Sequence, residues 1–344
     1  MSDIEKRKQD HIDIILSGTA RHGVASGFDD VQFEHCALPE LDLDAVDLSV
    51  GFLGKTLRLP YLASSMTGGP EMGGRINSAI AEAAQELGFA MGVGSQRIAL
   101  GGGSGHGLDS SIRKRAPDIA LYANLGAVQL VTGMTIDDAR RAVELIDADA
   151  LILHLNPLQE ALQPGGDRNW LKVEAEIENV CRALSVPVIA KEVGAGISVD
   201  VARRLVNCGI AAIDVAGVGG SSWAAVEGQR SDGGSELAEI FRNWGIPTAR
   251  ALLRIHQALP TLPLIASGGI RNGLDGAKAI RLGAALVGQA GALLDAAVKG
   301  PEAVVNHVNV WAQALRIACF ATGSASLSQL AKAPLQTADD VATY

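Results

Sequence analysis

The chain has 344 residues, 48% hydrophobic but only 4% aromatic, with 40 glycines and a formal charge of −9. That length exceeds a usual single domain but suits a barrel, which needs about 250 residues and tolerates long insertions. The acidic balance argues against a nucleic-acid partner, although a local basic site can still hold phosphate. The charged start MSDIEKRKQDH is no secretory signal, and no apolar run is long enough to span a bilayer. Cys36, Cys181, Cys208 and Cys319 share no metal-type spacing and form no dense disulfide pattern. They read as reduced, mostly buried thiols of a cytoplasmic protein.

In chain order, residues 1–58 read as an N-terminal extension, with a helix over Ile4 to Leu16 and a loop-rich stretch from Leu38 onward. Residues 59–344 read as the barrel. Short apolar runs at 59–64, 88–93, 119–123, 150–155, 187–191, 210–215, 262–266 and 284–287 have the length and composition of strands. Helical periodicity lies between them over 75–87, 137–147, 171–184, 199–207 and 274–282. Eight such runs separated by helices predict a closed parallel (β/α)8 TIM barrel, an α/β fold. Several runs lack polar alternation, as strands buried under helices do. A doubly wound sheet is the alternative, but no early Gly-x-Gly-x-x-Gly run opens a helix with an acidic residue at dinucleotide spacing.

The stretch from Gly217 to Gly245 is too long and too rich in Gly and Ser for a simple β–α loop. A long active-site loop with a mobile middle is expected there, after the sixth strand. Residues 101–107 (GGGSGHG) read as a flexible segment, either a lid or an ordinary insertion. A last helix over 304–321 should stop near Gly323, followed by a short peripheral helix and tail.

In a barrel, residues just past the carboxyl ends of the strands face the active site. Here those positions carry Ser65-Met66-Thr67-Gly68-Gly69, Gly94-Ser95-Gln96-Arg97, Asn124, His154, Asn156 with Gln159-Glu160, Lys191-Glu192 and Asp214. Packing alone accounts for Gly, Asp and Asn turns at a rim, but not for this set of Arg, Lys, His and Gln. The strongest phosphate signal is Ser267-Gly268-Gly269-Ile270-Arg271, seconded by Gly288-Gln289-Ala290 after the eighth strand. Barrels often hold a phosphate between the loops after strands seven and eight, where glycines let N–H groups approach the anion. Two tight corners account for the same glycines. A phosphate there belongs either to a substrate or to a flavin, and Lys191 favours a flavin, whose reduced ring carries negative charge. A buried ion pair of Lys191 with Glu192 or Asp214 is compatible with that role.

Arg7, Lys8 and His11 form a compact basic cluster in an acidic chain. They read either as a solvated helix face or as an arm reaching a di-anionic substrate, with Arg97 and His154 completing the cage. Glu160 is the best metal candidate, because Mg²⁺ needs few protein ligands beside a diphosphate. The seven histidines show no zinc-site spacing.

Together these residues resemble the type 2 isopentenyl-diphosphate isomerase family. The resemblance runs through Arg7-Lys8-x-x-His11, Phe28-Asp29-Asp30-Val31, Met66-Thr67-Gly68-Gly69, Gly94-Ser95-Gln96-Arg97, His154-Leu155-Asn156 with Gln159-Glu160, Lys191-Glu192-x-Gly194, Asp214-x-x-Gly217-x-Gly219-Gly220 and Ser267-Gly268-Gly269-Ile270-Arg271. It implies FMN, Mg²⁺ and reduction by NADPH, with isopentenyl and dimethylallyl diphosphate interconverted without net redox change. It also implies a cytoplasmic homo-oligomer, a tetramer above all. Carried onto this chain, the FMN contacts are Met66, Thr67, Ser95, Asn124, Lys191, Gly268, Gly269, Arg271, Gly288, Gln289 and Ala290. The substrate contacts are Arg7, Lys8, Arg97, His154, Asn156 and Gln159, and the metal ligand is Glu160. Catalytic roles fall to Gln159, Asn156, Lys191 and His154. Where the family carries Thr after Gly219-Gly220, this chain has Ser221-Ser222, and either serine keeps a hydroxyl for a phosphate oxygen.

An FMN-dependent hydroxyacid oxidase or dehydrogenase would share the barrel, the lysine and the phosphate turn. It ordinarily needs a His base and an Arg clamp late in the barrel, and between Val215 and Pro247 the chain offers Arg230 and Arg242 but no histidine. A non-catalytic phosphate-binding barrel is the remaining class, and the crowded rim argues against it.

Overall fold

A computed structural model describes residues 3–69, 71–103, 105–230 and 235–336. Eight strands, β1 (Tyr61–Ala63), β2 (Ala90–Gly92), β3 (Leu121–Gly126), β4 (Ala150–Leu155), β5 (Val188–Glu192), β6 (Ala212–Asp214), β7 (Leu264–Ala266) and β8 (Leu286–Gln289), fall on the eight expected runs. They pair in chain order, all parallel, and β8 returns to β1 through Val287 opposite Tyr61 to close the barrel.

Successive side chains of a strand point to opposite faces, and that parity divides the core in two. Tyr61, Met91, Leu151, Leu153, Ile213 and Val287 pack outward under the helices. Leu62, Tyr122, Ile152, Ile189, Ile265 and Leu286 pack inward with one another. Two residues further along the inward series, the sequence turns polar. Tyr122 gives way to Asn124, Ile152 to His154, Ile189 to Lys191, Ala212 to Asp214 and Ile265 to Ser267. The lumen is therefore apolar below and hydrogen-bonding above. Phe52 and Leu57 join the lower apolar layer from a hairpin of Val50–Phe52 and Lys55–Leu57, which plugs the lower mouth.

Expected helices appear at Glu71–Leu87, Ile136–Ile146, Val173–Ala183, Val199–Asn207, Gly273–Arg281 and Pro301–Ala321. The last ends before Gly323, which takes the left-handed conformation at φ +68°, and the short helix Leu327–Leu330 follows. Among the described residues no helix is long and apolar enough to cross a membrane.

Two expectations need correction. The stretch after β6 is not a bare loop, since it folds into helices Trp223–Arg230 and Glu236–Ile240. Its Gly and Ser residues hide them, and Ala225 and Val226 are stabilised by packing with Ala20 and Ile15 of the extension. The expected mobile middle falls on 231–234, outside the described residues. The 101–107 segment is anchored rather than free: Gly69 N–H bonds the His106 carbonyl at 3.0 Å and Asn77 Nδ2 the Gly107 carbonyl at 2.8 Å. Ser104 lies outside the described residues.

The N-terminal extension begins with helix Asp3–Ser17. Lys8, His11, Ile12 and Ile15, spaced as one face of a helix, are turned onto the upper mouth of the barrel.

Candidate active site

A cleft of about 390 Å³ opens at the upper end of the barrel, within the range of small-ligand sites. Met66, Thr67, Lys191, Ser221, the Gly268–Arg271 turn and Gly288–Ala290 line it beneath the arm helix. The loops after β6 and β7 meet backbone to backbone there. A Cβ on Gly268, at φ +94°, would stand 2.1 Å from the Gly217 carbonyl oxygen, and one on Gly220 would stand 2.9 Å from the Gly269 nitrogen. The N–H groups of Gly269 and Ile270 have no protein acceptor among the described residues. Helix Gly291–Lys299 starts at the same place, and its first N–H groups and dipole favour an anion. Gly268→Ala should cost on the order of 3 kcal/mol through backbone strain and overpacking. Urea denaturation reads it directly, and an unchanged midpoint would show that the loops do not need this approach.

The walls carry unspent hydrogen-bonding capacity. Ser64 and Ser65 Oγ and Thr67 Oγ1 on the cleft wall are buried with no partner among the described residues, as are Ser95 Oγ, Asn156 Oδ1 and Asp214 Oδ2 at the upper ends of other strands. Unpaired buried polar atoms are costly, so their gathering around one cleft marks a polar ligand site. A flavin mononucleotide fits this set: hydroxyls and an ammonium about the ring, glycine N–H groups about the phosphate.

At the centre of the cleft, Lys191 Nζ donates to the Glu192 carbonyl at 2.7 Å. Its neighbour across the ladder is Asp214, which burial pushes up and the Lys191 ammonium pulls down. Ser267 Oγ donates to Asp214 at 2.6 Å. The Glu192 carboxylate turns away and accepts from the N–H groups of Val193 at 2.7 Å and Gly194 at 2.6 Å. Among the described residues Lys191 forms no ion pair with either carboxylate; Asp214 stands opposite it in the strand ladder, and the ammonium charge lowers both carboxyl pKa values against the burial that raises them.

His154, on β4, bonds Asn124 at 2.8 Å through Nδ1. Burial, followed by the nearby Lys191 ammonium, brings its pKa down to about 3. With its pKa held that low, His154 would serve the expected substrate cage as a neutral hydrogen-bonding group. Sequence order hides the cause, since β4 pairs with β5 and sets His154 opposite Lys191.

Beside the cleft is a second cluster. Asn156 Nδ2 donates to Gln159 at 3.1 Å and to Glu160 at 3.0 Å. The second Glu160 oxygen accepts the Asp167 N–H at 2.6 Å. Its carboxylate is buried, with no cation within ion-pair distance among the described residues. No group of three or more metal-ligating side chains occurs among the described residues, so a Mg²⁺ ion here would draw its other ligands from phosphate and water. Gly166 is required alongside, because a Cβ there would stand 2.1 Å from the Glu160 carbonyl oxygen.

Glu227, which sequence reasoning missed, joins this cluster to the arm. Its wholly buried carboxylate accepts from Gln159 at 2.9 Å, meets His11 Nε2 at 3.0 Å and pairs with Arg230 at 2.6 Å. Burial alone would raise its pKa, but the bonds from His11, Gln159 and Arg230 hold it below the ordinary value. The available signal was the i, i+3 spacing of Glu227 and Arg230 on a helix. Arg7 is partly buried and lies within electrostatic reach of Glu227, Arg230, Glu160 and Arg97. Arg97 itself pairs with Asp167 at 3.2 Å. Lys8 reaches between the loops after β1 and β2, donating to the Gly68 carbonyl and, at 3.3 Å, to that of Ser95.

Three expected cofactor contacts are differently disposed. Ser222 Oγ donates to the Arg242 carbonyl at 2.8 Å, leaving Ser221 as the hydroxyl on the cleft. The Gln289 side chain points into the helical layer, meeting Tyr61 at 2.9 Å and His307 at 2.7 Å. The Arg271 guanidinium is held by Asp29 and Asp275.

Residues 158–337 match the FMN-dependent dehydrogenase family. Over its whole length the chain is similar to proteins named isopentenyl-diphosphate delta-isomerase. It is 59% identical to that of Xanthobacter autotrophicus, over 97% of this chain and 98% of that protein. It is 56% identical to that of Cronobacter sakazakii, over 98% of each. Among solved structures, a mandelate oxidase with (S)-mandelic acid superposes with a TM-score of 0.68 at 18% identity, over 97% of both chains. Flavocytochrome b2 with pyruvate bound gives 0.67 at 17% identity, over 95% of this chain and 80% of that one. At such identity these two speak for the fold alone. The full-length similarity and the flavin-type cleft make this chain a member of the FMN-dependent, type 2 isopentenyl-diphosphate delta-isomerase family.

Proposed function

We propose that the protein interconverts isopentenyl diphosphate and dimethylallyl diphosphate with no net redox change, using reduced FMN, Mg²⁺ and NADPH as reductant. The observation that carries this reading is the junction of two sites. A flavin-type cleft opens beside the Asn156–Gln159–Glu160 cluster, and the arm helix that carries Arg7, Lys8 and His11 lines the cleft and reaches the cluster through Glu227.

What FMN supplies in its reduced form is a proton donor and acceptor on the face of a substrate alkene, together with electron density that stabilises positive charge. The chain's own groups bind and orient. Lys191 offers positive charge to the reduced ring, and Asp214 offsets the burial of that ammonium. Arg7 and Lys8 would give charge-assisted bonds to a diphosphate, and Glu160 is the side chain that would hold Mg²⁺. Gln159 and Asn156, bonded beside Glu160, would present their amides to the substrate, and Glu227 fixes the Gln159 amide. The dehydrogenase reading lacks its machinery, because Arg230 is tied to Glu227 and Arg242 to Glu239. A cytoplasmic tetramer completes the proposal, and sedimentation velocity checks the oligomer.

Anaerobic protein with FMN, dithionite, Mg²⁺ and isopentenyl diphosphate should yield dimethylallyl diphosphate. No product from fully reduced, flavin-loaded protein would overturn the proposal.

Replacing Arg7 and Lys8 together by Ala should raise KM for the diphosphate by roughly tenfold or more, with kcat little changed if their contacts are equal in ground and transition states. An unchanged KM would return the pair to a solvated helix face. Burial, then Arg7, brings the Lys8 pKa down to about 8. The ammonium that binds diphosphate is present below that pH and lost above it, so KM should climb as pH rises through about 8. Lys8→Arg, which stays charged, should flatten the climb.

A further inference from the structure

Beyond the arm helix, the N-terminal extension runs as a strap along the loop after β6. Ser222 N–H donates to the Ala20 carbonyl at 2.9 Å, His22 N–H to that of Gly220 at 3.0 Å, and Ala249 N–H to that of Ser26 at 3.0 Å. Arg242 Nη1 donates to the Arg21 carbonyl at 2.9 Å. Ser26 wedges between the phosphate loops, so close that a Cβ on Gly219 would stand 2.4 Å from the serine Cβ. The strap is thus built into the end of the cleft where the glycine turns and helix Gly291–Lys299 meet.

An anion at that end needs a cation, and the cleft offers few. Lys8 is engaged with carbonyls of the loops after β1 and β2, and His11 with Glu227. Lys191 stands on β5, beside Asp214. Arg271, the cation that the Gly-Gly-Ile-Arg motif brings to mind, carries one positive charge against the two carboxylates of Asp29 and Asp275. Arg21 lines the cleft next to Ser221, and its guanidinium has no hydrogen bond or ion pair among the described residues. Ser221 Oγ in turn comes within 3.2 Å of a Cβ placed on Gly291, the first residue of the helix.

We propose that Arg21, carried on the N-terminal strap, is the cation that pairs with the FMN phosphate, alongside Ser221 and the helix N-terminus, and that Arg271 is not. The inference rests on the flavin reading of the cleft. It makes the phosphate a tether for the strap, and through it for the arm that carries Arg7 and Lys8.

The test compares FMN with riboflavin, which lacks only the phosphate, by quenching of flavin fluorescence on titration with full-length apoprotein. Arg21→Ala should weaken FMN about tenfold or more and leave riboflavin unchanged. Arg21→Lys should recover most of the loss, which a merely structural role for the side chain would not require. Arg271→Ala should keep the wild-type ratio of FMN to riboflavin affinity. Arg21→Ala protein that binds FMN within twofold of wild type, or loses both ligands equally, overturns the proposal. Wild-type protein that binds neither ligand overturns the flavin reading and this inference with it, whereas tight wild-type binding with an indifferent Arg21 variant overturns this inference alone.

Discussion

Oxidised protein should convert isopentenyl diphosphate at no more than background rate, and reduction of the bound FMN by dithionite should raise the rate about a thousandfold. The size follows from the usual contribution of positioned acid–base catalysis, about 10²–10⁴-fold. The reason lies in what the cleft lacks. Moving a double bond requires a proton added at one carbon and removed at another. The ionisable side chains lining the cleft are Lys8, His11, Arg21, Lys191 and Arg271, with no carboxyl, thiol or phenol among the described residues. Four of the five are lysine or arginine side chains, suited to binding anions and poorly suited to protonating an alkene. His11 is bonded to Glu227 and stacked edge-on against Trp223 at 4.9 Å. On the proposed reading the acid–base group would come with the reduced cofactor. Full activity with oxidised FMN would place the acid among the side chains and remove the reason for a flavin.

Glu160→Gln should lower kcat/KM by about a hundredfold or more and abolish the response to Mg²⁺, while FMN affinity stays within twofold of wild type. Glutamine keeps the volume and an oxygen for the Asn156 or Asp167 donor, so the local fold should hold. What it loses is the charge. A buried carboxylate with two neutral donors and no ion pair among the described residues is poised for a cation that the substrate brings with it. Truncating one partner of a desolvated charge pair commonly costs about 2–5 kcal/mol, which sets the expected loss. A magnesium titration with unchanged kcat/KM in the variant would remove Glu160 as the ligand.

The barrel was legible in the sequence because each strand is a short apolar run, and its upper rim because polarity changes along the inward positions, as from Ile152 to His154 and Ile189 to Lys191. The helix over 199–207 was legible to the residue. Helix Trp223–Arg230 was not, because it is held by packing on other segments, among them Pro157–Leu162 and the N-terminal extension more than 200 residues earlier, and propensity is silent on that. With it went Glu227, whose partners His11 and Gln159 belong to distant segments. The motif around Arg271 falls on a glycine turn that lines the cleft, but it does not reveal the fate of its guanidinium, which Asp275 and, from 242 residues away, Asp29 decide. The charge of His154 was illegible for a similar reason, since strand pairing and burial set it. Residue types, then, announced the site, while protonation states and side-chain allegiances emerged only from long-range packing.

The most direct measurement is anaerobic product formation against NADPH consumed, with protein, FMN and Mg²⁺ held constant. Substrate and product share one oxidation state, so an isomerase should consume about one NADPH per flavin at the outset and then release many molecules of dimethylallyl diphosphate with no further loss. NADPH lost mole for mole with product would contradict isomerisation and make the protein an oxidoreductase on the same barrel.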